Sequence, residues 1–60
     1  MELHEMTYVD VDGNYLTACS SNDDFWFIEN GNASNMLSFS SWCRYMIKWL
    51  DKHQALVMIP

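Results

Sequence analysis

FSSWCRYMIKWLDKH, Phe39–His53, is the stretch on which the fold turns. At 100° per residue, Trp42, Cys43, Tyr45, Met46, Ile47, Trp49 and Leu50 fall within an arc of about 200°, and Ser41, Arg44, Lys48, Asp51 and Lys52 share the rest. That is the pattern of an amphipathic helix. Ser38 stands where an N-cap hydroxyl is needed, and Leu37 just before it is placed to meet Trp42 as a hydrophobic staple. His53, in the last turn, complements the carbonyl end of the helix dipole. The apolar arc is wider than one sheet face requires, so its Tyr45 and Trp49 edge is expected to meet a second chain.

Working back from the helix, residues 6–11 (MTYVDV) and 15–19 (YLTAC) are enriched in strand formers and flank Asp12-Gly13-Asn14. An Asp-Gly between two such runs signals a hairpin, because Gly tolerates the positive φ of tight primed turns. Residues 20–24 (SSNDD) read as a polar loop, and residues 25–29 (FWFIE) as a third strand, apolar on both faces. Asn30-Gly31-Asn32 ends it, and residues 34–37, mediocre strand formers, read as loop. Beyond the helix, residues 55–59 (ALVMI) form a final strand that pairs with the hairpin once the helix has crossed the sheet. The expectation is an α+β fold: a small antiparallel sheet, β-β-β-α-β, packed against one C-terminal amphipathic helix in a single domain over residues 1–60.

Half of the 60 residues are hydrophobic, and three Phe, three Trp and three Tyr supply large apolar surfaces. Ordering a chain of this length costs about 90 kcal/mol at roughly 1.5 kcal/mol per residue, which demands on the order of 3,600 Å² of apolar burial at about 25 cal/mol/Å². Burial just suffices, and a homodimer that hides more aromatic surface relieves the shortfall. The N-terminal MELHEM is acidic without an apolar run, and no stretch approaches the length of a membrane span. A cytoplasmic location is therefore expected, where Cys19 and Cys43 are small buried hydrophobes and the sequon Asn32-Ala33-Ser34 carries no glycan.

Charge is segregated along the chain. Arg44, Lys48 and Lys52 are its only Lys and Arg residues, whereas Glu2, Glu5, Asp10, Asp12, Asp23, Asp24 and Glu29 all precede them; with Asp51, which lies between the two lysines, the net charge is −5. This balance argues against nucleic acid or anionic membrane as the main target. The acidic residues, with Asp10, Asp12, Asp23 and Asp24 foremost, are expected to project from one end of the sheet and steer the protein to a basic patch on a partner, with Trp26, Tyr8 and Tyr15 as neighbouring anchors. The four-residue spacing of Arg44, Lys48 and Lys52 draws one stripe along the helix. That stripe is either a solvated face or, in the alternative reading, a weak phosphate contact of a nucleic-acid-associated regulator.

Catalytic and metal chemistry find little purchase. Asp10-Val11-Asp12-Gly13-Asn14 matches the first five positions of an EF-hand loop, but the sixth is Tyr15 instead of Gly and the twelfth is Ser21 instead of Glu, so a hairpin turn explains it better. His4, His53, Cys19 and Cys43 lack the paired short spacing of a zinc site, and nothing orients a Cys-His pair for nucleophilic work. Asp23-Asp24 are adjacent in a polar loop, a poor arrangement for shared acid-base duty. No enzyme, cofactor or metal is expected.

Very short length, acidity, five Met and dense aromatics, with stretches such as FWFIEN and SWCRYMIKWL, resemble the small accessory proteins of bacteriophage early regions, including those of lambdoid phages. The resemblance implies a non-enzymatic protein of the host cytoplasm that adjusts host or phage machinery by binding it. DNA mimicry and antitoxin action are special cases of that class. The leading expectation is a protein-binding module that docks through its acidic sheet end or its aromatic helix edge.

Overall fold

The computed structural model describes residues 2–55 and 57–59, the last three through their backbone. Five strands, β1 (His4–Val9), β2 (Tyr15–Ser21), β3 (Asp24–Glu29), β4 (Asn32–Ala33) and β5 (Val57–Ile59), form one antiparallel sheet in the order β4-β3-β2-β1-β5. The helix α1 (Phe39–His53) lies across one face and returns the chain to the far edge, where Val57 pairs with Val9 and Ile59 with Thr7. The α+β architecture with a C-terminal helix is thus the expected one. Of the expected final strand, Leu56 lies outside the described residues, as does Pro60.

Turn chemistry sets the strand lengths. The stretch expected to be a polar loop is a two-residue turn, because Asn22 and Asp23 both take positive φ (50° and 65°), which Asn and Asp tolerate and primed hairpin turns require. Strands β2 and β3 therefore run up to Ser21 and Asp24. Asn30 and Gly31 (φ 48° and 87°) make another such turn into β4, which lies just ahead of the segment read as loop. Ser34 extends this pairing: its amide donates to the Phe27 carbonyl at 2.8 Å and its hydroxyl accepts from the Phe27 amide at 2.9 Å, while Leu37 bridges to Phe25. In the first turn the Asp10 carboxylate accepts from the amides of Asp12 and Asn14 and from the Asn14 side chain, each at 2.9 Å. Those bonds hold its pKa below the ordinary 3.8, led by the Asn14 side chain.

The helix is capped as its sequence demands. The Ser38 hydroxyl accepts from the Ser41 amide at 3.2 Å, and Gln54 closes the other end in the left-handed conformation. Leu16, Ala18, Phe27 and Trp49 are the buried centre, with Tyr8, Leu37, Trp42, Met46, Leu50 and Ala55 packed around them. Trp42 lies against Phe25 and Phe27, at ring-centroid separations of 5.1 and 5.8 Å, and its indole N–H donates to the Trp26 carbonyl at 2.9 Å. The buried arc is narrower than the helical wheel implies: Tyr45 and Ile47, at its two edges, are 44% and 67% exposed. A single helix meets a flat sheet along a stripe about 100° wide, so residues beyond it turn to solvent.

The isolated fold is at break-even. It exposes 4303 Å², against about 10,300 Å² for an unfolded chain of its mass, so about 6,000 Å² is removed from water. If about 60% of that is apolar it contributes about 90 kcal/mol, equal to the ordering cost and an upper limit, since real unfolded chains are more compact than the reference. No helix among the described residues is long and apolar enough to cross a membrane.

Candidate functional site

Strand β3 carries Phe27 and Glu29 on the face that the helix covers, since both share that face with the buried Leu16 and Ala18 across the ladder. The helix brings Tyr45 and Trp49, one turn apart, above the same strand. Glu29 joins the two layers: its carboxylate accepts from the Tyr45 hydroxyl at 2.5 Å and from the Trp49 indole N–H at 3.1 Å. Hydrogen bonding to Glu29 first, then burial, then the charge of Glu29 push the Tyr45 phenol above its ordinary pKa of 10, so it remains a donor at neutral pH. Two donors leave the carboxylate acceptor capacity for a ligand.

Beside this junction lies a groove of about 470 Å³, lined by Phe27, Leu37 and Tyr45 as apolar walls, Glu29 as the only charge, and Asn32 and Ser34 of the β4 edge. Lys48 and Lys52 border a smaller hollow on the other side of Glu29, with Trp49 and His53, but neither comes within ion-pair distance of it. Among the described residues the one such pair is His4 with Glu2, at 3.4 Å. The His53 ring stacks on Trp49 at 4.0 Å and its Nδ1 meets the Trp49 carbonyl at 2.9 Å. A carbonyl only accepts, so Nδ1 carries the hydrogen.

The residues singled out in the sequence are dispersed. Asp10 and Asp12 sit in the β1-β2 turn and Asp23 and Asp24 at the β2-β3 turn, which a meander places at opposite ends of the sheet. There is therefore no single acidic end. Asp10 and Asp12 share theirs with the Asn30-Gly31 turn and the helix C-terminus, whereas Asp23 shares the other with Glu2 and His4 around a polar hollow of about 520 Å³. Trp49, read as a surface anchor, is 4% exposed and part of the core, which leaves Tyr45 as the accessible aromatic of that helix edge. Trp26 is half-buried on the face away from the helix, and Tyr8 packs against the core. Arg44, Lys48 and Lys52 are all exposed on the outer side of the helix.

Cys19 and Cys43 are free thiols, and Cys19 is fully buried, with burial first and the charge of Glu5 second pushing its pKa up. Both effects make it a poor nucleophile. Among the described residues no three His, Cys, Asp or Glu side chains gather as a metal would require. The residues that matter most in the groove, Glu29, Phe27 and Leu37, were visible in the sequence only as an acid ending an apolar strand and an apolar residue before a helix cap. Their convergence with Tyr45 depends on where the helix crosses, which no local spacing encodes. Comparison with known proteins found no matching protein family, no similar curated protein and no similar solved structure.

Proposed function

We propose that this chain is a small non-enzymatic accessory module that binds another protein, gripping an arginine-bearing segment in the groove between β3, β4 and α1. The observation that carries the reading is the Glu29 carboxylate, fixed by Tyr45 and Trp49 between aromatic walls and without a paired cation among the described residues. A guanidinium suits such a site because it forks onto a carboxylate while its plane stacks on aromatic rings, and it sheds water more readily than an ammonium. The net charge of −5, with Asp10 and Asp12 at the same end as Glu29, favours encounter with a basic segment. The free edge of β4 beside the groove offers main-chain groups to an extended peptide.

The test is titration of an arginine-containing peptide, followed through Trp fluorescence, beside the same peptide with citrulline in place of arginine. Binding by the first and at least tenfold weaker binding by the second is expected, and Glu29→Gln should erase the difference while far-UV circular dichroism stays native. Asp23→Asn with Asp24→Asn, at the far end of the sheet, should change little. Equal binding of both peptides, or none, removes the arginine reading; binding to heparin or DNA that is lost with Arg44→Ala and Lys48→Ala would favour the helix stripe instead.

A further inference from the structure

We infer that the segment held in the groove carries a carboxylate two residues from its arginine, received by Lys48 and Lys52 in the adjoining hollow, a requirement that rests on the arginine reading above and completes it. Glu29 and Tyr45 line both spaces, so one hydrogen-bonded pair separates the groove from a hollow of about 170 Å³ bordered by Lys48, Trp49, Lys52 and His53. The groove has no Lys or Arg along its walls, and the hollow has two lysines. The charge of the surface thus changes sign within one contact.

Those lysines serve no carboxylate within the chain. Lys48 and Lys52 stand one turn apart on α1, and among the described residues neither lies within ion-pair distance of an acid. Glu29, the one acid bordering the hollow, already accepts from Tyr45 on Oε1 and from Trp49 on Oε2. Asp51 is on the same helix but does not line the hollow. The Trp49 and His53 rings, stacked at 4.0 Å, give it a flat wall. Two ammonium groups beside that wall suit a small anion, and a side-chain carboxylate is the one a peptide supplies.

The spacing follows from how the helix lies. Its contacts with β3 advance in step, Phe39 with Phe25, Tyr45 with Phe27 and Trp49 with Glu29, so groove and hollow succeed one another along the strand. From Tyr45 to the midpoint of Lys48 and Lys52 the helix rises about 7.5 Å. Two residues of extended chain cover about 6.8 Å and return to the same face. An arginine on Glu29 therefore sets the side chain two positions away over the lysines. Both lysines are exposed, so they rank partners more than they anchor them: a carboxylate gains there and a second cation is repelled.

Capped peptides with arginine two residues from Glu, Gln or Lys, made in both orders, test this by titration followed through Trp fluorescence. In one order the Glu peptide should bind about fivefold tighter than the Gln peptide and the Lys peptide about fivefold weaker, the scale of exposed ion pairs. Lys48→Ala with Lys52→Ala, native by circular dichroism, should bring the three within about twofold of one another and keep the preference for arginine over citrulline. Lys48→Glu with Lys52→Glu should reverse the ranking. Glu and Gln peptides that bind the native chain alike in both orders overturn the proposal, and a persisting preference for arginine then leaves the groove reading standing. A Glu preference that survives the lysine variants overturns it as well, because the carboxylate is then received elsewhere. Loss of the arginine preference in the native chain removes the groove reading and this proposal together. Should either variant fail to fold, the ranking on the native chain alone decides.

Discussion

The two faces of this sheet hold similar numbers of apolar side chains, yet only one is sealed within the chain. On the covered face Leu16, Ala18 and Phe27 meet Trp49, and the indole N–H groups of Trp42 and Trp49 find a carbonyl and a carboxylate on β3. Large aromatics can be buried there because each polar tip has a partner. On the outward face Val9, Trp26 and Ile28 are half-buried without any helix above them. The difference shows where the energy of the chain resides, and so which substitutions should unfold it and which should be tolerated.

Truncating the covered face should have the largest effect. Trp49→Ala removes the helix's one buried side chain and one of the two donors to Glu29, and large aromatic-to-alanine changes in cores cost about 3–5 kcal/mol. In a domain near break-even that loss leaves little native protein at room temperature, readable as a collapsed melting transition in circular dichroism. A well-folded Trp49→Ala variant would mean that contacts other than the covered face supply most of the stability.

Acid should act on neither face but at the turn between β1 and β2. The folded pKa of Asp10 lies below its ordinary 3.8, so its contribution is present above that value and is lost as pH falls through the lower folded one. Asp10→Ala should therefore flatten the fall in stability below pH 3.8 and lower stability at neutral pH by a similar amount, seen in urea midpoints measured along a pH series. An unchanged acid limb in that variant would place the titrating group elsewhere.

Much of this contrast could be read from residues alone, because it rests on local chemistry. Asp12-Gly13 and Asn30-Gly31 marked turns, the FWFI run marked a strand apolar on both faces, and Ser38 marked the start of the helix. What stayed hidden depends on distance. The Asn22-Asp23 turn needed two residues at positive φ without glycine, a conformation Asn and Asp permit but do not announce. The separation of the acidic residues followed from topology, since successive hairpin turns in a meander alternate between ends. The pairing of Glu29 with Tyr45 and Trp49 spans 16 and 20 residues and is fixed by how the helix lies on β3.

The smallest effect should come from the residue that periodicity assigned to the wrong side. Ile47 belongs to the apolar arc by its helical angle, yet it is 67% exposed, because the helix settles with Trp42, Met46 and Trp49 toward the sheet and leaves the Ile47 edge above water. Replacing it with lysine removes no enclosed contact and adds a charge beside Arg44 and Lys48, which are themselves exposed. Surface changes of this kind stay within about 0.5 kcal/mol. Urea denaturation of Ile47→Lys should reproduce the native midpoint and slope. A loss of 2 kcal/mol or more, the order of a core lesion, would mean that the helix is rolled toward its Ile47 edge, and the Tyr45 contact with Glu29, on the opposite edge, would have to be given up with it.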